Sequence, residues 1–126
     1  MDRGECDKPI RWLGSTQEDL AGFPSKVKSV MGFALRRAQQ GRKHIDAKPL
    51  KGFGGARVLE ICTNYQGDTY RGVYTVRFAD VVYVLHVFQK KSKRGARTPE
   101  ADVDLVRKRL QDAEEDYRQR PLEAKR

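Results

Sequence analysis

Between His86 and Thr98 the chain carries Lys90, Lys91, Lys93, Arg94 and Arg97, and no acidic residue. Upstream, Arg71 and Arg77 lie in a run rich in β-branched and aromatic residues. Their even spacing points both side chains to one face of an extended strand. If the runs 68–79 and 81–91 pair about a turn at Ala79–Asp80, Arg71 falls opposite Phe88 or Gln89, beside the first lysines. An arginine fixed on a strand and lysines at the end of the next form a concave cationic site. Such a site suits a phosphodiester, because a guanidinium can grip phosphate in a fork and an ammonium acts as a point charge. His86 adds a group able to move a proton near neutral pH.

Each of these residues also has an ordinary structural reading. Lysines at a strand end are commonly solvated and guard a sheet edge. An arginine inside a strand needs an anion, and Glu60 can supply one. His86 shares its parity with Val82, Val84 and Phe88, which is the setting of a sheet histidine. Tyr70, Tyr74 and Phe88 neighbour the cations and have the chemistry to stack bases of single-stranded RNA, yet Tyr74 and Phe88 also fit a core.

The elements that must position these groups are legible from pattern. "PIRWLG" (9–14) reads as a short first strand. Ser15 and Glu18 have capping-box spacing, which predicts a short helix from Thr16 to Ala21. Pro24 opens a second helix in which Val27, Val30, Met31, Ala34, Leu35 and Ala38 form one apolar face, and Gly41 closes it. Residues 42–55, with Pro49 and three glycines, read as loop. The runs 56–66, 68–79 and 81–91 predict a three-stranded antiparallel meander. In the last of them Val81, Tyr83, Leu85 and Val87 share one parity, and Val82, Val84, His86 and Phe88 the other. Both faces are therefore apolar, which predicts helices on one side of the sheet and partial cover on the other. Thr98 as N-cap and Pro99 as first residue open a terminal helix. Glu100, Asp102 and Asp104 sit in its first turn and Val103, Val106, Leu110, Ala113 and Tyr117 on its apolar stripe. The expected fold class is α+β, a small antiparallel or at most mixed sheet with two N-terminal helices and a C-terminal one, in a single domain over 1–126.

The 126 residues carry a formal charge of +9, which implies an anionic partner: nucleic acid, an acidic protein or a membrane surface. Much of the excess lies in 71–98, where seven Lys and Arg face the single acid Asp80. Cys6 and Cys62 are far apart, and no apolar leader or membrane-length run is present. The expectation is reduced thiols in a cytoplasmic protein. No metal-ligand spacing, Walker loop or dinucleotide fingerprint occurs, so no metal and no cofactor is expected.

Four segments, "WLGSTQEDLAGFP", "KPLKGFGG", "YRGVYTVRF" and "VVYVLHVFQKKSKRGARTPEADVDLVRKR", together with the order strand, two helices, meander, terminal helix, resemble the RelE/ParE superfamily of bacterial toxins. They are most similar to its phage-derived Gp49-like, or HigB-like, branch, over roughly residues 10–112. The resemblance implies a RelE-like fold and the toxin of a type II toxin–antitoxin system that cleaves mRNA in the ribosomal A site. The ribose 2′-OH would attack the adjacent phosphate with no metal. By the same resemblance Arg71 would bind the scissile phosphate, and Lys90 and Lys91 would stabilise charge or transfer protons, with His86 as a helper. The basic residues Arg77, Lys93, Arg94 and Arg97 are expected to bind RNA. The implied partners are mRNA on the ribosome and a helix-turn-helix, HigA-like antitoxin, with no membrane. The sequence departs from the family at Cys62, where a basic residue is common, and in the longer link "SKRGARTP". The general base is thus left open. The alternatives are a catalytically inactive RelE-fold module that binds nucleic acid or antitoxin, and a ParE-like gyrase inhibitor.

Overall fold

A computed structural model describes residues 7–90 and 98–120. Five strands form one mixed sheet in the order β1-β5-β4-β3-β2. They are β1 (Ile10–Trp12), β2 (Lys48–Pro49), β3 (Val58–Tyr65), β4 (Asp68–Thr75) and β5 (Val82–Lys90). β3, β4 and β5 make the expected antiparallel meander, and β1 joins β5 in parallel. The β3–β4 turn is tight because Gln66 and Gly67 both take positive φ, 50° and 88°. This is the two-residue hairpin geometry whose twist matches the strands. The stretch expected as loop contains β2, a two-residue edge strand on β3. Two residues around a proline carry no periodicity, so only the pairing with β3 reveals them.

The helices are α1 (Thr16–Ala21), α2 (Ser25–Gln39) and α3 (Glu100–Gln119). The apolar face of α2 packs Val27, Met31, Ala34, Leu35 and Ala38 on Leu59, Ile61, Tyr74, Val82, Val84 and Val87. Met31 reaches the sheet over Gly72, where a Cβ would stand 3.2 Å from its sulfur. The opposite face is covered too. Val106, Leu110 and Ala113 of α3 pack on Val58, Val73, Tyr83 and Leu85, with Phe53 and Phe78. The terminal helix therefore supplies a full second layer where the sequence predicts only partial cover.

Neither predicted cap forms. Ser15 has φ −93° and ψ 17°, outside the extended region an N-cap needs. Its hydroxyl donates to Asp19 Oδ2 at 2.8 Å instead. At α3 the N-cap place falls to Pro99, whose carbonyl accepts from the amides of Asp102 and Val103. Thr98 turns its side chain toward the sheet.

One irregularity decides what faces what. Down to Val73↔His86 each pair of β4 and β5 follows one register, but the next is Tyr74↔Val84. The extra residue, Leu85, is a β-bulge, and it reverses the parity of β5. Tyr83 and Leu85 face α3, and so do His86 and Phe88 beyond the bulge. A strict alternation would have put His86 under α2 with Val82 and Val84. The bulge is fastened from α3: Arg109 Nη1 donates to the Leu85 carbonyl at 3.0 Å. Arg109→Met is expected to leave that carbonyl unmet and to cost about 1–3 kcal/mol. Chemical denaturation measures the loss, and faster amide exchange in 84–88 than in β3 locates it.

Tyr74 is buried under α2, and its hydroxyl has no hydrogen-bond partner among the described residues. Burial pushes its pKa up to about 12. A raised folded pKa means the contribution is complete below the unfolded value and is lost as pH climbs from about 10 through the folded value. Tyr74→Phe is expected to be neutral or stabilising at pH 7 and to reduce the alkaline loss of stability. Melting temperature against pH from 8 to 12 checks it.

Candidate active site

Arg71 comes from the middle of β4 and points to the α3 face, opposite Phe88 and Cys62. It is 5% exposed. Its Nη1 donates to both carboxylate oxygens of Glu60 at 3.3 Å and to Thr98 Oγ1 at 3.1 Å. The Thr98 hydroxyl donates in turn to Glu60 Oε2 at 2.6 Å. A buried guanidinium, a carboxylate and the threonine just before α3 thus form a closed cycle. Glu60 is the anion that a strand arginine required.

His86 lies two residues from Phe88 on the same face and is 8% exposed. Its Nε2–H donates to Asp102 Oδ1 across 2.7 Å, and its ring stacks on Phe88 with centroids 4.4 Å apart. Nδ1 is enclosed and has no hydrogen-bond partner among the described residues. The pair joins the first turn of α3 to the sheet at His86, much as Thr98 joins it at Arg71. Lys90 is paired with Thr69, so its side chain shares the face of Arg71 one step toward the strand end. Lys48 enters the same face from β2, opposite Glu60.

Cys62 reports the local field. It is an exposed free cysteine. Partial desolvation of its sulfur and the charge of Glu60 raise its pKa, while Arg71, Lys48 and Lys90 act to lower it. Three cations therefore converge on one thiol, which the net effect keeps protonated and weakly nucleophilic. Beside it a groove of about 510 Å³ runs between the sheet and α3, lined by Leu50, Glu60, Arg71, Thr98, Val103 and Arg107 among others. The groove can admit an anionic group to the cations. Among the described residues no group of three or more His, Cys, Asp or Glu has the placement to hold a metal ion.

The structure brings Arg71, His86 and Lys90 together on one face. It does not bring Arg77. That residue lies past the end of β4, pairs with Glu114 and leans over Phe78. On α3 Asp102, the partner of His86, and Glu114, the partner of Arg77, lie roughly 18 Å apart at the helical rise. Parity alone put Arg77 with Arg71, but β4 stops at Thr75 and the chain bends away. Lys91, Lys93, Arg94 and Arg97 lie outside the described residues. Lys48, Thr98 and Asp102 were missed as site residues. Lys48 sat in apparent loop, and Thr98 looked like a cap. Asp102 was read as a dipole partner, although it precedes Val106 and Leu110 at i, i+4, i+8 and so belongs to the stripe that faces the sheet.

Two helical layers cover a mixed sheet in a small α+β protein, with a groove at one end of α3 lined by Lys51, Arg71 and Arg107 beside Glu60 and Glu100. The family described as phage-derived protein Gp49-like (DUF891) matches residues 18–111, from α1 to the middle of α3, and the chain belongs to it. It is a RelE/HigB-like toxin family. No curated protein and no solved structure matched the chain. No helix among the described residues is long and apolar enough to cross a membrane.

Proposed function

We propose that this protein is the toxin of a type II toxin–antitoxin pair, has a RelE-like fold, and cleaves mRNA in the ribosomal A site. The observation that carries the reading is Arg71. It is held rigidly inside the sheet, yet lines an open groove with Lys90 and Lys48 turned to the same face.

In the reaction the ribose 2′-OH attacks the adjacent phosphorus, forming a 2′,3′-cyclic phosphate and breaking the bond to the 5′-oxygen. Charge builds on the equatorial phosphate oxygens. Arg71 takes that charge, and because its guanidinium is already fixed by Thr98 and Glu60, little reorganisation is needed at that moment. Lys90 and Lys91 stabilise charge and carry protons. His86 acts through Asp102 as a positioning residue, holding the first turn of α3 and hence Thr98 against Arg71. Lys93, Arg94 and Arg97 grip ribosomal or messenger RNA through their charge. Arg77, at the far end of α3 and paired with Glu114, has no part in the site. The partner antitoxin is a helix-turn-helix protein, and the protein works in the cytoplasm.

The test is primer extension on a reporter mRNA incubated with the purified protein, with and without translating ribosomes. Cuts that need ribosomes are expected. Their absence under both conditions overturns the reading. One observation favours an inactive binding module as the second reading: Glu60 already compensates Arg71, as a purely structural arginine requires. In that case the protein binds without cutting RNA, and the same gel shows intact message.

A further inference from the structure

A second groove lies on the other side of the Pro49–Leu50 segment, and it is larger, about 600 Å³. The C-terminal end of α2, the start of β3 and the chain leaving β4 enclose it. Among the described residues five cations line it, Lys8, Arg42, Lys43, Arg57 and Arg77, and no acid does. Arg77 is paired with Glu114. The side chains of the other four make no hydrogen bond or ion pair among the described residues. Lining charges of one sign with no counter-charge raise the potential in a concavity and favour an anionic occupant.

Arg57 adds an independent observation. It holds the left-handed conformation, φ 55° and ψ 50°, where a non-glycine residue carries a steric cost. The backbone is fixed there, because the Arg57 carbonyl accepts from Thr75 Oγ1 at 3.1 Å and from the Val76 amide at 3.2 Å. Glycine would satisfy this geometry more cheaply. The position instead carries a long cationic side chain, exposed and turned to the groove.

The floor decides which anion fits. It is aliphatic, with Leu50, Val58, Leu59 and Val76, and its one aromatic among the described residues, Phe53, is buried with Arg107 over its ring at 4.9 Å. Phosphodiesters have no apolar group to bury, and bases seek exposed aromatic faces. An acidic peptide with apolar side chains on one face satisfies both parts, burying those side chains on the floor while its carboxylates meet the cationic rim. We infer that this groove is a docking site for an acidic, amphipathic segment of a partner protein, separate from the Arg71 groove.

The test uses fluorescence anisotropy with the full chain and three labelled probes: a short peptide of glutamate and leucine at helical spacing, a glutamate–glutamine peptide of equal charge, and an oligouridylate of equal charge. The glutamate–leucine peptide is expected to bind most tightly. Arg42→Ser with Arg57→Gly should weaken it about tenfold, the worth of two partly screened charge pairs. Arg57→Gly suits the positive φ, so the backbone should keep its shape, and circular dichroism verifies it. Arg71→Lys, in the other groove, should leave peptide binding unchanged. Equal affinity for the two peptides, or no loss in the double variant, overturns the inference. So does an oligouridylate that displaces the peptide and loses the same affinity in that variant, since the groove would then be a nucleic-acid site.

Discussion

Arg71→Gln and Glu60→Gln are each expected to destabilise the protein by about 3 kcal/mol, and the double variant to recover most of that loss. The reason is burial. Removing one partner leaves the other charge enclosed without compensation, whereas two neutral amides can still hydrogen-bond to each other and to Thr98. The Arg71 side chain is 6% exposed and set against the Glu60 carboxylate, so the fold feels its loss as well as the chemistry. The double variant is thus the informative one. It separates stability from chemistry: it should fold, yet cleave at least about 100-fold more slowly, as expected when a preorganised donor for developing charge is lost. Urea denaturation gives the coupling and single-turnover cleavage on programmed ribosomes gives the rate. A stable double variant that cuts as fast as the native chain would remove Arg71 from the mechanism.

His86→Ala is expected to cost about 2–3 kcal/mol, from a cavity beneath Phe88 and an unmatched Asp102. It should also slow cleavage by about tenfold through loss of alignment at Thr98. His86→Gln keeps a side-chain N–H able to reach Asp102. If His86 positions α3, the glutamine variant recovers most of both losses, and the pH–rate profile keeps its shape. If His86 itself passes a proton, the glutamine variant stays as slow as alanine and a limb of the profile disappears. The enclosed Nδ1 and the 2.7 Å contact to Asp102 point to the first outcome.

Much of the fold was legible because local periodicity and the final packing agree. The α2 stripe from Val27 to Ala38, the meander and the Arg71↔Phe88 pairing follow from alternation, from the 3.6-residue period and from short turns. Legibility failed where local signals were satisfied elsewhere. Thr98 has the right type for a cap, but its hydroxyl finds Glu60 and Arg71. Ser15 and Glu18 have the right spacing, but the backbone at Ser15 is not extended. Arg77 has the parity of Arg71 and the wrong end of α3.

By itself the sequence determined the class of the protein, the location of its positive charge and the placing of Arg71 beside Lys90. Those depend on residue type, net charge and strand pairing across one short connection. Only the tertiary structure decided that Glu60 and Thr98 clasp Arg71, and that His86 faces α3 and not α2. The first needs side chains from three distant segments to meet. The second turns on one extra residue, Leu85, held by an arginine of α3, and no alternation pattern within β5 announces an inserted residue that the opposite helix stabilises.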